Sequence, residues 1–512
     1  MEKLYFCKYF DFLNYLNYLN YLNSMYFLIA IALYFSLLML ISFLTGRNRS
    51  DSQFFLGNRR SLWYVVAIGM VGSSVSGISL VSVPGMVQGA GFTYLQTALG
   101  FIAGYAVVAL VLLPLYYKMN LTSIYGYLEK RFGQRAHRTG AWFFIVSKTV
   151  TSATKLYIAT LVLQRFVFSA WGVPLWITIS LCVLMIWLYT FRSGIGTIIW
   201  TDALQTLVLL AAIILMFVQV TKMMNLSFFE TVETIKNSPL SCTFVFDWVS
   251  DRNFFKQFFS GIFIVVVMTG LNQDMMQSTL SCRNVREAQK NMFWYGTAFV
   301  PFNLLLLSLG VLLVAYANQN GIALPEKADE IVPMFAAGLL GKAVYFCFIF
   351  GIIAATFNSA DSALTAIVTS IYVDILKKDK ETAGRDAAAG RDAACHVSTS
   401  SNLQRNLLYL AVCAAFVVIV LAFANIENRS IIDTLYMIVG YAYGPLLGLF
   451  AFGLLTKRQT NDRAVPYIAL ASPVLTYLID IFCRYFFQYQ FGYELLMLNG
   501  MITFFGLVLN KK

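Results

Sequence analysis

The sequence predicts an all-α polytopic membrane protein with about thirteen transmembrane helices. Three observations carry that expectation. Of the 512 residues, 59% are hydrophobic and only 12% charged, a balance that soluble globular chains do not have. Apolar runs of about 20 residues, the length a helix needs to cross a bilayer, recur along the whole chain. Basic residues collect in every second loop, as they do where successive helices alternate in direction across a membrane.

In chain order, residues 1–24 read as a low-complexity lead. They hold "NYLNYLNYLN", whose three-residue period fits no helix. They also lack a basic stretch followed by a cleavage site, so a removable signal peptide is not expected; the expectation is that Met25 is the true start or that the first 24 residues are a disordered lead. A leading span 0 covers 25–46. Spans 1 to 12 follow near 62–88, 93–117, 139–164, 173–190, 195–220, 256–275, 291–316, 343–373, 406–424, 431–455, 464–483 and 492–510. One set of loops carries Arg47, Arg49, Arg59 and Arg60, then Lys130, Arg131 and Arg135, and later Arg283, Arg286, Lys377 and Lys378. The alternate loops are poor in basic residues, so the N-terminus is expected outside and the C-terminus inside. The net charge of +12 is thus a topology signal and gives no reason to expect nucleic acid. Residues 222–255 form an external connection, and 377–404 a flexible cytoplasmic loop containing the tandem "AGRDAAAGRDAA".

An enzyme is not expected. The eight cysteines are scattered without a CxxC pair, and His137 and His396, the only histidines, fall in expected loops. Neither a zinc site nor a histidine-based catalytic centre is indicated.

Two spans look interrupted. Span 1 contains "GMVGSSVSGIS", with Gly72, Ser73, Ser74, Ser76 and Gly77 at its middle, and span 6 contains "MTGLNQDMMQ". Small residues can mean no more than close helix packing. Spans five apart, however, occupy corresponding positions in an inverted repeat, and a pair of glycine-interrupted spans there points to a midplane binding site in a transporter.

Span 8 adds "FNSADSALTA". Asn358, Asp361, Ser362, Thr365 and Thr369 share one helical face, a stripe of the oxygen donors that small cations prefer. Serine and threonine alone could bond back to their own helix, but an aspartate inside a span costs roughly 2.5–3.5 kcal/mol and is retained for a function. Span 5 supplies a second acid, Asp202, with Gln205 and Thr206 one turn on. In span 3, Lys148 and Lys155 lie on one face, and pairing with these acids is the structural alternative.

With these residues in view, the chain resembles the sodium:solute symporter family, which includes sodium/proline, sodium/glucose, sodium/sialic acid and sodium/iodide carriers. "FLGNRRSLWYVV", "GSSVSGISL", "YGYLEKRFG", "SATKLYIATLVLQ", "WTDALQTLVLL", "NQDMMQSTLSCRNVREAQK" and "AATFNSADSALTAIVTSIYVDIL" carry the resemblance over residues 54–376. It implies the leucine-transporter-type fold, with a first repeat over 62–220 (spans 1–5), an inverted second over 256–455 (spans 6–10), and accessory spans in 464–510. It implies Na⁺-coupled symport of a small organic solute by alternating access, in a multi-pass protein of the cell membrane. By matching motif positions, one Na⁺ would be held by the carbonyls of Gly72, Val75 and Ala355 and the side chains of Asn358 and Ser359. The family usually has a hydroxyl where Asn358 stands. A second cation would use Asp202, Asn358, Asp361 and Ser362; an acid at 361 would also let that site take a proton. Ser76, Gly77, Met268, Gln273, Met437 and Tyr441 are the expected solute lining, with Asn272 a further candidate. Methionines at 268 and 437, where sugar carriers have a stacking ring and a glutamine, argue against a hexose. A channel or non-transporting sensor on the same scaffold, or an H⁺-coupled carrier, are the alternatives.

Overall fold

A computed structural model describes residues 29–45, 55–164, 168, 171–190, 194–248, 250–376, 391–423, 431–489 and 491–510. The lead 1–24, and residues 377–390 of the expected cytoplasmic loop, lie outside these.

Among the described residues all regular structure is helical, apart from an isolated bridge between Ser61 and Cys282. We number the principal helices in order. The first is α1 (Ile29–Thr45). A bent pair follows, α2 (Trp63–Ser74) and α3 (Gly77–Gly85), then α4 (Tyr94–Lys118). Next come the short α5 (Gly126–Arg131), α6 (Gln134–Leu163), α7 (Leu175–Thr190), α8 (Ile195–Met223) and α9 (Phe228–Asn237). The second bent pair is α10 (Phe254–Gly270) with α11 (Gln273–Leu280), followed by α12 (Val285–Gln319) and α13 (Lys342–Ile375). The chain ends with α14 (Arg391–Phe423), α15 (Ile431–Leu455), α16 (Val465–Phe487) and α17 (Leu495–Leu509).

Among the described residues six helices are long and apolar enough to cross a bilayer, and each bent pair also qualifies as one span. The bends measure 57° at α2/α3 and 64° at α10/α11, at the two stretches whose composition suggested interruption. Two expectations shift. His137 is not in a loop but in the first turn of α6, because Gly133 at φ 136° turns the chain and lets helix start at Gln134. The part of the expected cytoplasmic loop from Arg391 onward belongs to α14, which carries His396.

Breaking a helix inside a membrane frees carbonyls that lipid cannot satisfy. At the first break, Val75 (ψ 85°) and Ser76 (ψ 173°) leave the helical region, and the Ser73 carbonyl accepts a hydrogen bond from Ser359 Oγ of α13 at 3.0 Å. At the second, Tyr116 OH donates to the Gly270 carbonyl (2.9 Å) and Tyr125 OH to the Leu271 carbonyl (3.0 Å). Asn272 then caps α11, its Oδ1 accepting from Asp274 N at 3.1 Å. Arg131 of α5 donates to the Gly453, Thr456 and Arg458 carbonyls at the end of α15, where a cation complements the helix dipole.

The helices meet closely where both partners lack a side chain. On α4, a Cβ at Gly100 would lie 2.1 Å from the Phe258 carbonyl oxygen, and on α10 a Cβ at Gly261 would lie 2.3 Å from that of Thr97. Gly261→Ala must push two backbones apart, and overpacking of this kind costs about 1–3 kcal/mol. We therefore expect a clear fall in melting temperature of the detergent-solubilised protein. Gly89→Ala, where nothing lies within 4 Å, is expected to melt as the parent does.

Candidate functional site

The two breaks and the polar stripe of α13 converge. Asn358, Ser359, Asp361, Ser362, Thr365 and Thr369 are all buried, so the stripe faces neighbouring helices and not lipid. α8 lies against it along its length, and α2 fits between them because position 72 is glycine. A Cβ there would sit 2.0 Å from Thr206 Oγ1 and 2.8 Å from Asn358 Nδ2.

Around this crossing the oxygens form one cluster. Ser73 Oγ donates to the Asn358 side-chain oxygen and lies 3.3 Å from Asp202 Oδ2. Asn358 Nδ2 donates to the Asp202 carbonyl at 3.1 Å, and Thr206 Oγ1 to the same carbonyl at 2.7 Å. Ser362 Oγ donates to Asp202 Oδ2 at 3.1 Å while its backbone N–H donates to Asp361 Oδ1 at 2.6 Å, so one serine touches both acids. Tyr189 of α7 donates to Asp361 Oδ2 at 2.8 Å. Asp202 Oδ1 is buried with no hydrogen-bond partner. A carboxylate oxygen left bare in a membrane core is costly, and a cation is the partner that would satisfy it. These donors are hard oxygens, which suit an alkali ion; among the described residues no group of His, Cys, Asp and Glu could hold a transition metal.

Of the residues expected for the first Na⁺, Gly72, Asn358 and Ser359 meet at this crossing. Val75 is fully buried in the break, and Ala355 is buried one turn before Ser359. Asp202, Asn358, Asp361 and Ser362 are linked by the bonds just given. The solute-lining residues are spread more widely. Ser76 and Gly77 lie at the start of α3, where a Cβ on Gly77 would touch Thr356 at 2.9 Å. Met268 is partly buried in the last turn of α10, beside the second break. The Asn272 side chain is taken up in capping α11. Three candidates are turned elsewhere. Gln273 donates to the Thr122 carbonyl (3.1 Å) and accepts from Ile124 N (2.9 Å), tying α11 to the loop before α5. Met437 is 55% exposed. Tyr441 packs on Tyr477 of α16, ring centroids 6.3 Å apart. Two residues on, nearly the opposite helix face, Tyr443 is buried.

The lysines of α6 do not pair with Asp202 or Asp361. Lys148 Nζ pairs with Asp274 of α11, both side chains at least nine-tenths buried. Lys155 Nζ donates to Ser359 Oγ at 3.2 Å. Sequence reading passed over Asp274, although "NQDMMQ" displays it, and over Tyr189, a lone tyrosine in an apolar span with nothing to mark it.

The class defined by this fold and cluster is a polytopic membrane carrier with a buried cluster of oxygen donors at a broken helix. The family model of the sodium:solute symporter family matches residues 54–466. The sodium/sialic acid symporter of Aliivibrio fischeri is 25% identical over 485 residues, 93% of this chain and 92% of that protein. The human sodium/iodide cotransporter is 22% identical over 417 residues, 80% of this chain and 62% of that protein. A substrate-bound, outward-open structure of a Na⁺-coupled sialic acid symporter superposes with a TM-score of 0.78 at 19% identity, covering 95% of this chain and 97% of that one. The chain belongs to the sodium:solute symporter family. It is a Na⁺-coupled secondary transporter of a small solute in the cell membrane.

The Lys148–Asp274 pair yields a direct expectation. Removing one partner of a buried pair leaves an uncompensated charge at a cost of about 3–5 kcal/mol. Lys148→Met should lower the melting temperature and expression sharply, and Lys148→Met with Asp274→Leu should regain most of the loss. A double variant no better than the single one would show that the pair is not coupled.

Proposed function

We propose that the oxygen cluster binds two cations and that the transported solute is a small anion. The bare, buried Asp202 Oδ1 carries the cation reading. Gly72, Val75 and Ala355 through their carbonyls, with Asn358 and Ser359, form the first site. Asp202, Asn358, Asp361 and Ser362 form the second. Charge counting supports both parts. Taken as ionised, the three acids around the oxygen cluster and the second break, Asp202, Asp274 and Asp361, outnumber the two lysines of α6, Lys148 and Lys155, by one. One Na⁺ restores neutrality, and a second leaves a positive charge that an anionic solute cancels. The named relatives carry sialic acid and iodide, both anions. Ser76, Gly77 and Met268, at the two breaks, are the lining candidates placed to meet such a solute.

In this reading the chain crosses the membrane thirteen times, with the N-terminus outside and the C-terminus inside. Residues 62–220 and 256–455 form inverted repeats, and 464–510 accessory spans. Na⁺ ties α13 to the broken α2/α3 and so favours the outward-open state. Its preference for one conformation is the energy that shifts the population. Inside, low Na⁺ and the membrane potential, worth roughly 2.3 kcal/mol per charge per 100 mV, favour release.

Three measurements test this. Asn358→Ala with Ser359→Ala should raise the Na⁺ concentration for half-maximal uptake about tenfold or more, since each lost 1.4 kcal/mol is tenfold; an unchanged requirement refutes the ligand set. Asp202→Ala and Asp361→Ala should lower the number of Na⁺ carried per solute in proteoliposomes. A thermal-shift screen in Na⁺ should return stabilisation by an anion among sialic acid, iodide and short monocarboxylates, and none by neutral sugars or zwitterionic amino acids. Stabilisation by a neutral solute alone overturns the anion assignment.

A further inference from the structure

Among the membrane-embedded lysines of α6, Lys148 has its own carboxylate and Lys155 does not. The Lys155 ammonium donates to Ser359 Oγ at 3.2 Å, and among the described residues no acid lies within ion-pair distance of it. Ser359 in turn donates its proton to the Ser73 carbonyl at the end of α2, so the ammonium lies at the negative end of a half-helix, facing the very oxygen assigned to the first Na⁺. An unpaired cation inside a membrane protein marks a functional position, and here that position is a place built for another cation.

We propose that Lys155 is a tethered competitor of Na⁺: its ammonium and the ion contend for Ser359, and Na⁺ binds there only as the lysine side chain withdraws. This inference rests on the reading that Ser359 ligates Na⁺. Two positive charges on one serine oxygen repel strongly where water cannot screen them. The lysine thus keeps the first site weak for Na⁺ alone. Once withdrawn, the ammonium is free to act as counter-ion for the anionic solute. Solute binding would hold the lysine off Ser359 and tighten Na⁺ binding, and Na⁺ would tighten solute binding by the same factor. One side chain then enforces joint loading, which is what a symporter needs to avoid carrying Na⁺ alone.

The test uses the full-length purified protein with Na⁺ as the only ligand. Na⁺ is exchanged for choline at constant chloride, and half-saturation is read from thermal stabilisation. Lys155→Met removes the competitor and should lower the Na⁺ half-saturation about tenfold, within the span usual for coupled sites. Lys155→Arg keeps the charge and should bind Na⁺ as weakly as the parent. Melting in choline alone reports whether each variant folds, and a purely structural role for Lys155 would not tighten Na⁺ binding. Unchanged or weaker Na⁺ binding in Lys155→Met, with Ser359→Ala still losing Na⁺, overturns the competition while leaving the ligand assignment standing. If Ser359→Ala binds Na⁺ as the parent does, the ligand assignment fails and the competition fails with it.

Discussion

A helix broken within a bilayer exposes backbone polar groups to a medium that cannot hydrogen-bond them, and the centre of this protein is organised around meeting that demand. The carbonyl freed at Ser73 is met by Ser359 from α13. Those freed at Gly270 and Leu271 are met by Tyr116 from the last turn of α4 and Tyr125 from the loop leading into α5. Each repair is made by a different helix from the one that is broken. The breaks therefore exist only while their neighbours are in place, and a movement of α13 or of the α4–α6 connection is felt directly at a break. That is the physical basis by which an ion bound between α2 and α13, as proposed, would be linked to a change in how the helices are arranged.

Charge follows the same economy. Lys148 and Asp274 neutralise each other across α6 and α11, which leaves Asp202 and Asp361 without a lysine of their own. Their oxygens are divided among Ser73, Ser362, Tyr189 and one bare position. Hydroxyls can orient toward a carboxylate but cannot neutralise it. The cluster therefore stays attractive to a mobile cation, where a full complement of lysines would have sealed it.

A second meeting point lies at the end of the bundle where the loop leading to α5 packs. Gln273 of α11 holds Thr122 and Ile124. Ser123 and His137 both reach Asp374 at the end of α13, at 2.8 and 2.9 Å, and Arg131 closes the end of α15. One short segment thus grips the second broken helix, α13 and α15 together. Rearrangement at the second break bears directly on these contacts, because Gln273 at the start of α11 is one of the anchors.

Much of this was legible in one dimension. Hydropathy located the helices, because a bilayer admits few alternatives to an apolar helix of fixed length. Glycine and serine inside apolar runs marked both breaks, and the i, i+3, i+4, i+7 pattern put Asn358, Asp361 and Ser362 on one face. These are local signals, fixed by the chain's own periodicity. What faces what was decided only by packing. Residues 126 or more positions apart had to come together before Lys148 met Asp274, Lys155 met Ser359 and Tyr189 met Asp361. The rotation of α15 likewise turned Tyr441 toward α16 and buried Tyr443, and no pattern within that helix distinguishes the two. A helix's own sequence sets which residues share a face; its orientation about its axis is set by the neighbours it packs against.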